Sequence, residues 1–182
     1  MSPDSRTLDY QEQECSFTVV ATEGLVLSYR YVSGDISLNT SRTGVISQGN
    51  VITFRVSTND NTTGRTQTGV FVVQATAGGT TYQSNEVTVY KTGVPGTITI
   101  TPETAVFPAT SGSTVFEVAT TNINTSTMGV NVYDDTIGIT SATLNSDCTQ
   151  LTVEWPASAS TSTKSAKISV SGQDLRGLTV AK

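Results

Sequence analysis

Apolar and polar residues alternate along this chain in short bursts rather than in helical turns. In the first half the bursts fall at residues 17–19, 25–31, 51–56, 69–73 and 86–90. A period of two sends successive side chains to opposite faces of an extended backbone, so each burst predicts a strand with one face buried. Turn residues separate them: Glu23-Gly24, Ser33-Gly34-Asp35, Asn59-Asp60-Asn61 and Ala77-Gly78-Gly79. In the second half strands are predicted at residues 97–101, 115–120, 128–133, 151–155, 166–170 and 178–181. No stretch carries a sustained 3.6-residue period with caps. Many short strands between frequent turns predict an all-β chain built of antiparallel sandwiches.

The pattern also repeats. Ser2-Pro3-Asp4-Ser5 is matched by Thr101-Pro102-Glu103-Thr104, an offset of 99 residues (2 to 101). At the same offset Phe17 and Val19 meet Phe116 and Val118, Asp35 meets Asp134, and residues 52–56 meet 151–155. The simplest explanation is two copies of one small domain in tandem. The copies end alike, at Val87-Thr88-Val89-Tyr90-Lys91 and Leu178-Thr179-Val180-Ala181-Lys182, but there the offset is 91 (87 to 178). The first copy therefore carries about eight extra residues between Gln74 and Glu86, which predicts a longer hairpin around Gly78-Gly79. The domains are expected at residues 1–92 and 97–182, joined by a short linker at 93–96 whose Pro95 limits its freedom. Residues 97–100 have no counterpart before Ser2. The first copy is thus expected to lack its first strand unless a partner supplies it, and an open edge of that kind invites strand addition.

Composition narrows the function. The 182 residues include 34 Thr and 21 Ser, many within Val- and Ile-containing runs, where branched Thr suits a pleated surface. Only 14% of residues are charged, and polar faces made of hydroxyls are associated with extracellular or virion β-proteins. The net charge is −5 and no basic patch is visible, which argues against nucleic acid and anionic membrane partners. No run approaches the roughly 18 apolar residues of a membrane helix. The absence of histidine removes Ser-His and Cys-His nucleophile pairs and His metal ligands. Cys15 and Cys148 fall in different copies, opposite Thr114 and Gly49, so they read as free thiols. Residues 1–14 are polar and acidic, unlike an export signal, so the expectation is a protein that is not secreted or a trimmed piece of one that is.

Candidate contact residues are few. Trp155 aligns with Val56 and shares a face with Leu151 and Val153, which predicts a core position rather than a sugar platform. Tyr29 and Tyr31 share a face and, with Tyr133, are candidates for an aromatic surface, against the plainer expectation of sheet packing. Asn59, Asp60 and Asn61, and Asp134 with Asp135, present oxygens to a partner, a glycan or a calcium ion, although Asx side chains are common in turns because they bond their own backbone. Asn39-Thr40-Ser41, Asn61-Thr62-Thr63 and Asn124-Thr125-Ser126 match the glycosylation acceptor, as happens by chance in a Thr-rich chain. No pair of acids, nucleophile or Gly-rich phosphate loop is legible, so no enzyme, cofactor or metal is expected.

A Thr-Pro start, a Phe-x-Val strand, a Leu/Ile-Thr-Val strand, a Ser/Thr/Asn loop with a basic residue and a closing Ile-x-Val strand together resemble the BACON domains. These are immunoglobulin-like modules named for carbohydrate binding in Bacteroidetes. Asn59 and Arg65 with Gly69-Val70-Phe71-Val72 look like the family's loop-and-strand signature, and Ser158 and Lys164 with Lys167-Ile168-Ser169-Val170 give a weaker copy. The family's tryptophan in the middle strands is missing, with Tyr29, Tyr31, Met128 and Val130 in that region. The resemblance implies two tandem immunoglobulin-like sandwiches. Similar domains decorate phage tails and capsids, and others serve secreted proteins. The expectation is therefore a non-enzymatic virion decoration protein with other virion proteins as partners, host-surface glycans as further contacts, and an oligomer as one arrangement. The alternative is a carbohydrate-binding or adhesion module of a secreted or cell-surface bacterial protein.

Overall fold

A computed structural model describes residues 1–22, 25–36, 45–46 and 51–182, with the side chains at 45–46 and 51–55 outside the description. The expected turn at Glu23-Gly24 and the Asn39 acceptor therefore lie outside the described residues. The chain is all-β and forms two immunoglobulin-like β-sandwiches as two compact units, Met1–Val94 and Pro95–Lys182. Among the described residues there is no helix long and apolar enough to cross a membrane.

The first unit contains β1 (Ser5–Leu8), β2 (Glu14–Val20), β3 (Val26–Gly34), β4 (Val45–Ile46), β5 (Val51–Ser57), β6 (Gln67–Ala77), β7 (Thr80–Gln83) and β8 (Val87–Lys91). One sheet runs in the order β1-β8-β6-β3-β4 with β7 on β6, and β2 pairs with β5 in the other. Alternation is clear where it was expected: Phe17 and Val19 are buried while Thr18 and Val20 point out. They meet Leu27, Val56, Phe71, Val73, Val87 and Val89 in one core, with the rings of Phe17 and Phe71 edge to face at 5.3 Å. The extra residues of this copy form the β6–β7 hairpin. Its Gly78-Gly79 turn has φ of 56° and 80°, the paired positive values that a two-residue hairpin turn requires.

The second unit contains β9 (Thr97–Thr101), β10 (Gly112–Thr121), β11 (Ile123–Tyr133), β12 (Ser141–Leu144), β13 (Gln150–Trp155), β14 (Lys167–Asp174) and β15 (Thr179–Ala181). Its sheets are β12-β13-β10-β9 and β11-β14-β15. Ile98, Phe116, Val118, Leu151, Val153 and Val170 form the buried centre. Leu151, Val153 and Trp155 do share the inward face of β13, at 2%, 0% and 6% exposure.

The repeat is visible in the register of the opening segment, although Phe17 faces Phe54 while Phe116 faces Leu151, two residues from that counterpart. Ser2 exchanges both backbone hydrogen bonds with Thr18, at 2.8 and 2.9 Å, and 99 residues on Thr101 stands opposite Glu117. Beyond the following proline the copies part. In the first unit the chain crosses to the opposite sheet and β1 pairs in parallel with β8, from Ser5 opposite Thr88 to Leu8 opposite Lys91. The counterpart of β9 is reduced in the first unit to the single Ser2–Thr18 bridge, and β1 is a different segment, matching residues 104–107 of the second. In the second unit no strand forms between Thr101 and Gly112, and β15 ends its sheet.

Segment 93–96, read above as a linker, is held from both sides. Val94 N–H donates to the Thr63 carbonyl at 2.8 Å, and a Cβ on Gly93 would run into the Gly64 backbone. Gly96 packs on Asp174 and Ile123 of its own unit.

Candidate functional site

The divergence after Pro102 opens a cleft of about 550 Å³ in the second unit. Ile100, Phe116, Leu151 and Ile168, contributed by both sheets, make its floor. Phe107 is displaced to one wall, where its ring stacks on Trp155 at 4.2 Å and 8°. The indole N–H donates to the Thr110 carbonyl at 2.9 Å, and Gly112 lies against the benzo ring where a Cβ would be 2.9 Å from Cζ2. The stack is therefore fixed by a hydrogen bond on one side and by a missing side chain on the other.

Ser158, Ser160, Ser162 and Lys164 form a hydroxyl-rich rim. At one end the Lys182 ammonium meets Glu103 Oε1 at 2.6 Å, and this hydrogen bond holds the Glu103 carboxyl below its ordinary value. Glu103 is the sole carboxylate among the lining residues, and its charge is balanced. An apolar floor with a hydroxyl rim is suited to holding and orienting a ligand.

The first unit shows the same place closed. Leu8, the counterpart of Phe107 at the 99-residue offset, is 3% exposed within the core. Above it the loop from Asn59 to Arg65 is pinned by Asn61, which is 1% exposed. Its Nδ2 donates to the carbonyls of Arg65, Lys91 and Thr92 at 2.8, 3.3 and 2.9 Å, and its Oδ1 accepts from Thr63 N–H and Oγ1 at 2.9 and 2.7 Å. Lys91 is fully buried beneath this loop, donating to Thr58 Oγ1 at 2.9 Å and to the Asn59 carbonyl. Burial pushes the Lys91 amine down, against the partial support of Asp60 and Glu12.

The residues expected from sequence are placed elsewhere. Asn61 is a buried anchor rather than a contact residue, because every polar atom of its amide is engaged by the backbone or by Thr63. Asn59 gives its carbonyl to Lys91, and Asp60 Oδ1 accepts from Gln13 Nε2 at 3.0 Å. Tyr29 packs on the core with its ring edge toward Phe71 at 6.3 Å, whereas Tyr31 is 40% exposed, so the pair does not form one platform. Tyr133 belongs to the second unit, with Lys167 Nζ 5.8 Å from its ring centre. Asp134 is exposed and ion-paired with Lys167 at 2.7 Å. Asp135 organises its own loop, accepting from the N–H groups of Ile137, Gly138 and Ile139 at 2.9, 2.9 and 2.7 Å. None of these lines the cleft. Among the described residues no three His, Cys, Asp or Glu side chains converge as a metal site.

The cleft was invisible to strand periodicity, because it follows from a strand that does not form. One sequence signal pointed to it. Asp9 follows Leu8, whereas Pro108 follows Phe107, and a proline disfavours continued pairing in a strand.

No family model matches the chain, and no curated protein matches it. A solved structure titled "BspA_C_WT" aligns with 92% of this chain and 81% of its own length, at 9% identity and a TM-score of 0.24. A likeness at that level carries no functional argument. These comparisons lend no support to a virion location.

Proposed function

We propose that this chain is a non-enzymatic binding module in which the first unit is a closed structural domain and the second carries the binding cleft. The observation that supports this reading is the contrast at one place in the repeat. Leu8 fills the gap between the sheets in the first unit, and about 550 Å³ stands open in the second. Unfilled apolar clefts of this size are the usual form of a ligand site. The lining chemistry favours an apolar or amphipathic ligand over a sugar. A sugar-binding platform needs a free aromatic face, and Trp155 is 6% exposed with Phe107 stacked upon it. Of the two settings expected from sequence, the reading favours an extracellular or cell-surface adhesion protein, where a hydroxyl-rich surface with 14% charged residues serves a binding duty.

Trp155 is the single tryptophan and lies at the cleft wall, so its fluorescence reports on occupancy. Titration with anilinonaphthalene sulfonate is expected to quench Trp155 saturably, and Ile139→Glu at the cleft wall to weaken the dye by about tenfold or more. Dye binding that leaves Trp155 unchanged, or that survives Ile139→Glu intact, sinks the reading.

A further inference from the structure

We propose that the outer edge of β9 pairs with the same edge of a second copy of this chain. The two strands run antiparallel about a two-fold axis at Thr99 and join two four-stranded sheets into one. This goes beyond the cleft and does not rest on it.

β9 ends the sheet β12-β13-β10-β9, and among the described residues no strand pairs with its other side. Its neighbour β10 fixes which backbone groups face that side. Val118 N–H donates to the Thr149 carbonyl at 2.8 Å, on the side of β13. Antiparallel bonding alternates, so Glu117, Ala119 and Thr121 turn their N–H and C=O groups toward β9, opposite Thr101, Thr99 and Thr97. The matched pair of the first unit, Ser2 with Thr18, exchanges both bonds in the same phase. Ile98 and Ile100 therefore aim their N–H and C=O groups away from β10, along the open edge.

This edge lacks the devices that keep strand edges apart. Thr97-Ile98-Thr99-Ile100-Thr101 holds no charge and no proline, and its register with β10 runs without a bulge. Every residue in it is branched at Cβ, which suits a pairing strand. The sequence itself names the occupant, because it reads the same in both directions. Turned antiparallel about Thr99, each residue meets its own kind: Thr97 meets Thr101, Thr99 meets Thr99, and Ile98 exchanges both bonds with Ile100 of the second copy. The exposed threonines stay on the outer face, while Ile98 and Ile100 stay on the core face, so neither copy repacks. No carboxylate is set opposite another, since the next positions out pair Gly96 with Pro102 and Pro95 with Glu103. The ladder stops there: Pro102 has no N–H, and Gly96 N–H is taken by Asp174 Oδ2 at 3.4 Å. The strand at the other end of the sheet has no such match, because Ser141-Ala142-Thr143-Leu144 reversed sets Ser against Leu and Ala against Thr. So short a ladder buries less than the roughly 1,200 Å² at which standard interfaces begin, so the dimer is weak and concentration-dependent.

The test follows the full chain by sedimentation equilibrium and amide exchange from about 10 μM to about 1 mM. The expected result is a mass that rises toward twice the monomer. Exchange at Ile98 and Ile100 slows as the dimer forms, while Thr97, Thr99 and Thr101, already bonded to β10, are slow throughout. Thr99→Lys sets like charges opposite each other at the axis, with Cβ atoms about 5 Å apart, and should weaken the dimer at least about tenfold. Thr99→Glu should do the same, and mixing the two variants should restore association as a heterodimer, which also shows that both are folded. Thr143→Lys, on the exposed face of the opposite end of the sheet, should leave the dimer unchanged. The proposal is overturned by a chain that stays monomeric at about 1 mM, by a dimer that leaves exchange at Ile98 and Ile100 unaltered, or by one that survives Thr99→Lys. It is equally overturned if the two charged variants fail to associate when mixed, or if Thr143→Lys abolishes the dimer. Protection of Ile98 and Ile100 at every dilution would assign the edge to a contact within the chain and overturn it as well.

Discussion

After Pro3 the first unit sends Ser5–Leu8 across to β8; after Pro102 the second unit leaves the corresponding residues outside both sheets. Other differences between the two cores accompany this crossing. The first centres on eleven buried apolar residues among those described, the second on six with a larger fringe of half-buried ones. Over the first gap lies a loop locked by Asn61; over the second lies a loop of serines and threonines with exposed Ser160 in that place. Lys91 is buried in the first unit, and Lys182 makes an exposed ion pair in the second. The difference teaches that one crossing strand and one buried amide decide whether this sandwich is sealed or open.

The largest effect should come from removing the plug. Leu8→Ala is expected to destabilise the first unit by about 2–5 kcal/mol and to create a second dye site there, whereas Phe107→Ala, at a half-exposed ring, should cost roughly half as much. Chemical denaturation of the two variants checks this, and equal losses would erase the contrast. Next, Asn61→Ala should cost about 1–3 kcal/mol, because three carbonyls and the Thr63 N–H lose their partner inside a covered loop. Ser160→Ala, in an open loop, should change stability by less than about 0.5 kcal/mol.

The two units should also answer pH from opposite ends. In the second, Asp174 is 2% exposed. Its burial favours the neutral acid, but Arg176 at 2.7 Å and the backbone N–H groups of Leu178, Arg176 and Gly96 outweigh this and hold the carboxyl below its ordinary 3.8. A lowered native value means that the stabilisation is fully present above 3.8 and is lost as pH falls through the native value. In the first unit Lys91 titrates below its ordinary 10.5, so the unfolded chain binds more protons in that window and stability rises with pH toward 10.5. Denaturation midpoints of Asp174→Asn and Lys91→Met across pH should each lose one of these slopes and keep the other. The smallest effect belongs to Asp134→Asn. Its ion pair with Lys167 is largely exposed, and the melting temperature should not move measurably.

Much of this plan was legible in the chain. The 99-residue repeat, the inward face of Leu151, Val153 and Trp155, and the Gly78-Gly79 hairpin all follow from local pattern. β1, β7 and β12 were not legible, because four residues with a single large apolar side chain acquire a strand's identity from the neighbour they pair with, not from their own alternation. Two of the candidate contact residues are engaged by their own loops. Asn61 and Asp135 look like ligand-facing oxygens in sequence, yet such side chains serve their own loops whenever backbone N–H or C=O groups lie within reach. Phe107 drew no notice because its importance lies in standing where Leu8 does not.

The central contrast is most directly tested by amide hydrogen exchange on the intact chain. Thr88 and Thr92 bond to β1, while Thr179 and Ala181 face the open edge of β15. Slow exchange at Thr88 and Thr92 with fast exchange at Thr179 and Ala181 is the predicted result. Equal protection of the two sets would mean that a strand already closes the second unit, and would contradict the open cleft.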